Sequence, residues 1–141
     1  MTDFAAKYVA LADRYDGGLW GVRILLAAMY VESCVDKILN WTTYLAEVRA
    51  HHIPWGTLSL ALAALTEAAG AIALLTGFGL IPALVVLALY TVTINFFYFD
   101  FWNQPMPAAV MARKEFLKNF AVAGGILSYA YIAAFRRIRA R

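Results

Sequence analysis

The stretch LSLALAALTEAAGAIALLTGFGLIPALVVLALYTVTINFFYFDF, residues 58–101, decides the fold class. It contains two apolar runs, 58–76 and 82–101, each close to the roughly 20 residues that cross a bilayer as a helix. Gly77, Gly79 and Pro82 lie at their junction. Because glycine supplies a left-handed cap and proline suits a first helical turn, this spacing predicts a tight hairpin of two antiparallel membrane helices.

The whole chain has the composition of a membrane protein. Of its 141 residues, 63% are hydrophobic and 15% are charged, and the mean hydropathy is +0.67. Soluble domains are near half apolar and a quarter charged. Two further runs, 19–39 and 116–132, predict two more spans. The expected fold class is therefore an all-α membrane protein, a bundle of four transmembrane helices.

Four spans leave no room for a separate soluble domain. The predicted organisation is an N-terminal segment over 1–18 with a short interfacial helix, a transmembrane domain over 19–135 and a basic tail over 136–141. The N-terminal segment lacks the basic start and apolar run of a signal peptide, so we expect it to be retained.

The basic residues lie at the ends of the spans and predict the orientation. An even number of spans places both termini on one side of the membrane. That side has seven basic residues and the other has five: Lys7, Arg14, Arg23, Arg136, Arg137, Arg139 and Arg141 against Lys37, Arg49, Arg113, Lys114 and Lys118. The excess predicts a multi-pass protein of the plasma membrane with cytoplasmic termini. It also explains the net charge of +3 without nucleic-acid binding.

The cysteine and histidine content limits the cofactors. The single cysteine, Cys34, excludes an intrachain disulfide, a CxxC pair and a cysteine-held metal or cluster. No span contains a histidine, which argues against haem, and no metal site is predicted. His51 and His52 lie between the first two spans, where they would relay a proton, bind a metal with other ligands or simply be solvated. Any redox chemistry then needs a partner or a diffusible carrier.

Glu67 is the clearest candidate for function, since it lies close to the middle of its span. An ionisable group at mid-bilayer costs several kcal/mol and is expected to face the bundle interior. Ala63, Ala64, Gly70 and Ala71 on the adjacent turns allow another helix to approach closely. Two alternatives remain open: a proton-handling carboxylate, or a protonated glutamic acid that holds the bundle together through a hydrogen bond.

Glu32 and Asp36 are four residues apart on the first span, so their carboxylates share one helix face. Such a pair either handles protons or is balanced by a basic partner. We consider Lys37, Lys118 and Arg113 as that partner, because all three lie at the same membrane level. Glu67, Glu32 and Asp36 are the candidate catalytic residues.

The third span has a polar face that predicts a binding pocket. Thr91, Asn95, Tyr98 and Trp102 follow helical spacing. The topology brings this face to one off-centre pocket with polar residues of other segments, namely Glu32, Asp36, Asp100, Asn103, Lys118 and Asn119. Aromatic side chains crowd the same level, where they would clamp a planar ring or form the usual interfacial belt: Phe96, Phe97, Tyr98, Phe99, Phe101 and Trp102.

Arg49, Arg113 and Lys114 should surround the mouth of that pocket on the side away from the termini, with His51 and His52 nearby. Positive charge at a low-dielectric cleft concentrates anions, which would suit an anionic substrate. Contact with lipid phosphates is the alternative.

Three motifs in order resemble the DoxX/DoxD-like family. The first is Arg23-Ile24-Leu25-Leu26 and the apolar run to Lys37. The second is Glu67-Ala68-Ala69-Gly70 and its continuation through Gly77 to Pro82-Ala83. The third is Glu115-Phe116-Leu117-Lys118-Asn119-Phe120 with Gly124-Gly125. Together they cover 21–134. The chain departs from the family where small residues usually precede the lysine, since it has Glu32-Ser33-Cys34-Val35-Asp36 there.

The resemblance implies a four-helix protein of a bacterial or archaeal plasma membrane. The few understood members are subunits of quinone-reducing sulfur oxidoreductases or of membrane redox-defence complexes. Carried over residue by residue, the polar positions typical of the family are Lys37, Glu67, Lys118 and Asn119.

We therefore expect a membrane subunit that binds quinone or a similar lipophilic ring and acts in electron transfer with a protein partner or as a homo-oligomer. Quinone would be a non-covalent cofactor, held by Asn95, Tyr98, Lys118, Asn119 and Lys37, with anions entering at Arg49, Arg113 and Lys114. The alternatives are a non-catalytic assembly subunit and a protein that binds or exports a small lipophile. Whether the chain is itself an enzyme stays open.

Overall fold

The computed structural model describes residues 16–139, and these form a helical bundle. The elements are five α-helices and one 3₁₀ turn: α1 (Asp16–Leu39), α2 (Trp41–Ala50), α3 (Gly56–Thr76), α4 (Leu80–Tyr98), the turn (Phe101–Asn103) and α5 (Ala108–Arg139). The all-α membrane bundle predicted from the sequence is confirmed. The predicted interfacial helix of the N-terminal segment lies outside the described residues.

Three segments of the described chain are long and apolar enough to cross a membrane: Gly56–Thr76, Leu80–Asn103 and Ala108–Arg136. The fourth long helix, α1, has 24 residues, which gives a length of about 36 Å. It contains Arg23, Glu32, Asp36 and Lys37, whereas α3 has a single charged residue and α4 has none. It nevertheless packs along α3 and completes the bundle.

The hairpin between α3 and α4 has the predicted geometry. Gly77 caps α3 with a φ of 80°, and Gly79 precedes α4 with a φ of 58°. Both values lie in the left-handed region, where side chains other than glycine are strained. Pro82 lies in the first turn of α4, where its missing N–H breaks no helical hydrogen bond. The hairpin thus shares one side of the bundle with the start of α1 and the end of α5, here called the terminal side.

The opposite side, called the loop side, contains α2 and the connections 51–55 and 99–107. The sequence predicts a loop between the first two spans, over 40–57, whereas the structure has α2 there. Its apolar signal is short, because only Trp41, Leu45 and Val48 follow helical spacing, and Val48 alone is buried. Ten residues are too few for such a pattern to stand out against a loop.

The last helix is longer at both ends than the predicted span 116–132. It begins at Ala108 and continues to Arg139, so most of the expected basic tail is helical. Arginine is a good helix former, and no proline or glycine follows Ile132 to end the helix. Positive charge in the last turns also interacts favourably with the helix dipole.

The core lies where α1, α3, α4 and α5 meet. Its fully buried side chains include Leu74, Leu84, Leu87 and Ile126. Gly70 on α3 faces Leu87 on α4 so closely that a Cβ at position 70 would lie 2.8 Å from a Leu87 methyl carbon. This contact sets the distance between the two helices beside Glu67.

Candidate functional site

A buried ion pair joins α1 to α3. The Lys37 ammonium lies 2.9 Å from Oε1 and 3.1 Å from Oε2 of Glu67. The Glu67 side chain is 4% exposed and the Lys37 side chain 13%. Since two charges removed from water attract each other strongly only with good geometry and further hydrogen bonds, the surrounding donors decide whether this pair is tolerated.

Ser33 and Tyr90 supply those hydrogen bonds. Lys37 lies one turn after Ser33 on α1 and donates to the Ser33 hydroxyl oxygen at 2.6 Å. Ser33 donates to Glu67 Oε1 at 3.2 Å, and Tyr90 from α4 donates to the same oxygen at 3.0 Å. We call Ser33, Lys37, Glu67 and Tyr90 the ion-pair cluster. Three helices therefore converge on one carboxylate.

The two oxygens of this carboxylate differ. Oε1 accepts from Ser33, Lys37 and Tyr90, whereas Oε2 accepts from Lys37 alone among the side chains that the structure describes. A carboxylate oxygen has two lone pairs. Oε2 is thus the atom with capacity for one more donor.

Two further contacts of α1 surround the ion-pair cluster within the bundle. On the terminal side, Tyr30 and Thr91 share a hydrogen bond of 2.7 Å between their hydroxyl groups. On the loop side, the Lys37 ammonium lies 5.3 Å from the centre of the Tyr44 ring of α2, within the range of a cation–π contact.

The Tyr44 hydroxyl donates to Asp36, and Asn40 donates to the other oxygen of that carboxylate. The hydrogen bond to Asp36, with burial, raises the pKa of Tyr44 to about 12. Tyr44 therefore stays a neutral donor at any physiological pH, and Asp36 is engaged by α2.

The structure does not bring the predicted polar residues into one pocket. Asn95 is fully buried; it donates to the Phe116 carbonyl and accepts from Asn119 at 3.0 Å, which links α4 to α5. Asp100 accepts from Asn103 and Gln104 on the loop side. The expectation of a shared pocket fails because these short side chains find partners close by, on their own or an adjacent segment.

The other residues predicted to be functional lie outside the ion-pair cluster. Glu32 is exposed on the outer face of α1. Lys118 is exposed on α5 and pairs with Glu115. The Tyr98 ring lies 4.7 Å from the ring of His51, which ties the end of α4 to the connection after α2. The Lys37 ammonium is directed to Glu67 and forms its ion pair there, and not with Glu32 or Asp36.

Arg49, Arg113 and Lys114 are all exposed, and Arg49 borders an open depression of about 510 Å³ at the start of α3, together with Trp55. Their roles in binding an anion stay predictions. The basic residues do not surround the ion-pair cluster, which lies between α1, α3 and α4.

The aromatic residues after Asn95 pack largely on one another. Phe116 lies at the centre, with ring centroids 5.4 Å from Phe96, 5.5 Å from Phe101 and 4.9 Å from Phe120. Trp102 completes the group at 5.8 Å from Phe116. These ring contacts hold the 3₁₀ turn and the end of α4 against α5.

A shallow groove of about 350 Å³ runs along the outer contact of α3 and α4. Its lining is Leu65, Thr66, Ala69, Gly70, Pro82, Ala83 and Val86. Val86 lies one helical turn before Tyr90 on α4, and Thr66 precedes Glu67 on α3. The groove therefore leads from the lipid-facing surface toward the level of the ion-pair cluster, and its volume falls within the range of small-ligand sites.

The sequence analysis missed Ser33, Tyr90 and Tyr44. Ser33 lies four residues before Lys37, and Tyr90 is one position before Thr91, so both were visible as polar positions in apolar spans. What the sequence did not show is which residues of two neighbouring helices lie at the same level and face each other. Lys37 and Glu67 are 30 residues apart, and no local pattern states that they meet.

The DoxX family model matches residues 18–99, which is more than half of the chain. The chain belongs to the DoxX family. The DoxX match includes Ser33, Lys37, Glu67 and Tyr90, and so the whole ion-pair cluster, but ends before α5. No curated protein matches the chain, and no solved structure does.

Proposed function

We propose that this DoxX protein is a membrane subunit that binds a quinone or a similar lipophilic ring at the ion-pair cluster. The observation that supports this most is the Glu67 carboxylate, which lies mid-span and is 3% exposed, with donors from α1 and α4 converging on it. Ionisable groups at this depth are rare and mark functional positions. The half-buried Tyr90 lies one helical turn after Val86, which lines the groove along α3 and α4.

The chemistry of the cluster suits a quinone head group. A quinone carbonyl is a hydrogen-bond acceptor, and Lys37 and Tyr90 are donors. A hydroquinone hydroxyl is a donor, and Glu67 Oε2 has capacity for one. The apolar groove suits a hydrocarbon tail, since most of its lining is aliphatic. Electrons would come from or pass to a partner protein, and the residues of this chain would bind the ring and hold its protons.

Quinone binding should depend on the ion-pair cluster. We expect Lys37→Met with Glu67→Gln to weaken binding of decylubiquinone by about tenfold or more, because hydrogen bonds to charged groups contribute roughly 1.5–3 kcal/mol each. Affinity is measured by titrating the purified protein in detergent micelles and following tryptophan fluorescence. Glu115→Gln is the matched control, since this carboxylate also lies on a long helix but pairs with an exposed lysine.

Equal affinity of the double variant and the wild type would remove the ion-pair cluster as the quinone site. A protein that binds neither decylubiquinone nor menadione, and that copurifies with a stoichiometric partner, would favour the second candidate. That candidate is a non-catalytic assembly subunit. The observation in its favour is the hydrogen bonding of Asn95 to Asn119 and Phe116, which uses interior polar groups only to join helices.

We also propose that the termini are cytoplasmic, so that α2 and the exposed Arg49, Arg113 and Lys114 face the outside, where anions would approach. In a Cys34→Ser background, an impermeant thiol reagent added to intact cells should label His52→Cys and spare Phe78→Cys. Position 52 is exposed on the loop side, and position 78 is exposed in the hairpin on the terminal side. The reverse labelling pattern would invert the orientation.

A further inference from the structure

Glu32 is an ionisable residue on the outer surface of a membrane helix. It lies seven residues before the end of α1, about 10 Å inside the helix. Its side chain is exposed, and no side chain that the structure describes bonds to its carboxylate. Met29 and Val35 flank it on this surface, both apolar and exposed, and Asp36 one turn further on is bonded to Asn40 and Tyr44. Among the charged side chains of α1 that the structure describes, the Glu32 carboxylate is thus the one without a side-chain hydrogen bond or ion pair in a single copy of the chain.

The other charged side chains of α1 described by the structure have partners within the bundle. Arg23 donates to the Leu74 carbonyl of α3 and lies over the Trp20 ring. Asp36 is bonded to α2, and Lys37 is paired with Glu67. Charged residues in spans almost always face a protein interior or a water-filled cavity. The exposure of Glu32 therefore indicates that another protein surface covers this face of α1.

Lys118 on α5 has the complementary properties. Its side chain is 61% exposed, and its neighbour Leu117 is also 61% exposed. Among the described residues it forms an ion pair with Glu115, three positions earlier on the same helix. In the bundle α5 packs on α4 and the 3₁₀ turn, while α1 packs on α3 and α2. The outer faces of α1 and α5 thus carry charges of opposite sign.

Both residues lie in the loop-side half of their helices. Glu32 precedes Ser33, which is at the level of Glu67 and Tyr90. Lys118 precedes Asn119, which is at the level of Asn95 on α4. Tyr90 and Asn95 are five residues apart, and because α1 and α5 run in opposite directions, the steps to Glu32 and Lys118 both add to this distance, so the offset in depth is about 10 Å. A lysine and a glutamate side chain extended toward each other together span an offset of this size.

We propose that the covering surface is a second copy of this chain, in which the outer face of α1 packs against the outer face of α5 and Glu32 pairs with Lys118 of the other copy. A two-fold axis along the membrane normal makes this contact reciprocal, so that each dimer has two such ion pairs. Pairing replaces an exposed charge on each helix by a charge-assisted hydrogen bond in low dielectric. This inference is independent of quinone binding.

Charge exchange between copies tests the pairing. Glu32→Lys alone and Lys118→Glu alone should each weaken self-association in lipid nanodiscs or mild detergent by at least about tenfold, because each places like charges opposite one another. Co-expression of the two variants with different tags should restore association. In the mixed dimer, the substituted position 32 of one copy meets the substituted position 118 of the other copy, and their charges are opposite. At the second contact, the unsubstituted Glu32 and Lys118 meet. Pull-down of one tag with the other is the measurement.

Cysteine cross-linking tests the same contact without reversed charges. In a Cys34→Ser background, a mixture of Glu32→Cys and Lys118→Cys chains should form a disulfide-linked dimer under mild oxidation. A mixture of Leu89→Cys and Lys118→Cys chains should not, because the exposed Leu89 lies on α4. Three results would overturn the proposal: a monomeric wild-type protein, a mixed pair that associates no better than either variant alone, or loss of a different protein partner in Glu32→Lys but not in Lys118→Glu.

Discussion

Lys37→Met alone should lower the free energy of unfolding by about 3–5 kcal/mol, the typical effect of removing one partner from a buried ion pair. Among the described side chains, the buried Glu67 carboxylate would then keep Ser33 and Tyr90 as its donors. Adding Glu67→Gln should recover most of that loss, because the remaining amide is neutral and still bonds to Tyr90. Unfolding in mixed micelles, followed by circular dichroism as a denaturing detergent is added, measures both variants.

Lys118→Met is the control for Lys37→Met. Its pair with Glu115 is exposed on α5, and such pairs contribute about 0–1 kcal/mol once the surroundings screen them. The measurement is made at low protein concentration, so that association between copies does not add to the difference. Equal losses of unfolding free energy in Lys37→Met and in the double variant would contradict the prediction. They would mean that the effects of Lys37 and Glu67 on stability are independent and that Glu67 is neutral in the folded protein.

Gly70→Val should have the second large effect on stability, about 3 kcal/mol, which is the upper end of the range for overpacking. The added Cβ would lie 2.8 Å from a methyl carbon of Leu87, and Leu87 is fully buried, so its side chain has little room to move away. Because the same contact sets the spacing of α3 and α4 beside Glu67, the variant should also displace Tyr90 from the carboxylate.

Two further variants make the Gly70 prediction specific. Gly124→Val on α5 is the matched control, since a Cβ there meets nothing within 4 Å. Leu87→Val removes the atoms that collide, so Gly70→Val with Leu87→Val should be more stable than the sum of the single effects predicts. Equal destabilisation at positions 70 and 124 would mean that the loss comes from helix propensity and not from the contact.

The hairpin and the spans could be predicted because their signals are local. Gly77, Gly79 and Pro82 define a turn through their own backbone preferences, independently of distant residues. A run of about 20 apolar residues has few stable conformations other than a membrane helix. The interior position of Glu67 followed from the small residues on its own helix face. Each of these inferences needed only neighbours within about four residues.

The contacts of the site depend instead on distant parts of the chain. Tyr90 meets Glu67 from 23 residues away, and Asn95 meets Asn119 from 24. These pairings follow from how far each helix is displaced and rotated against the next, which is set by packing such as Gly70 on Leu87. The helix on which a polar residue lies was therefore predictable for most of them, whereas the partner of its side chain was not.

The position of Tyr44 gives the connection between the first two spans a second role. Its ring covers the Lys37 ammonium from the loop side while its hydroxyl group is anchored on Asp36. The connection therefore contributes an aromatic ring to the surroundings of the ion-pair cluster, besides joining two spans. Insertions in this segment would shift the Tyr44 ring away from Lys37, so its length is constrained in a way that the length of an ordinary extramembrane loop is not.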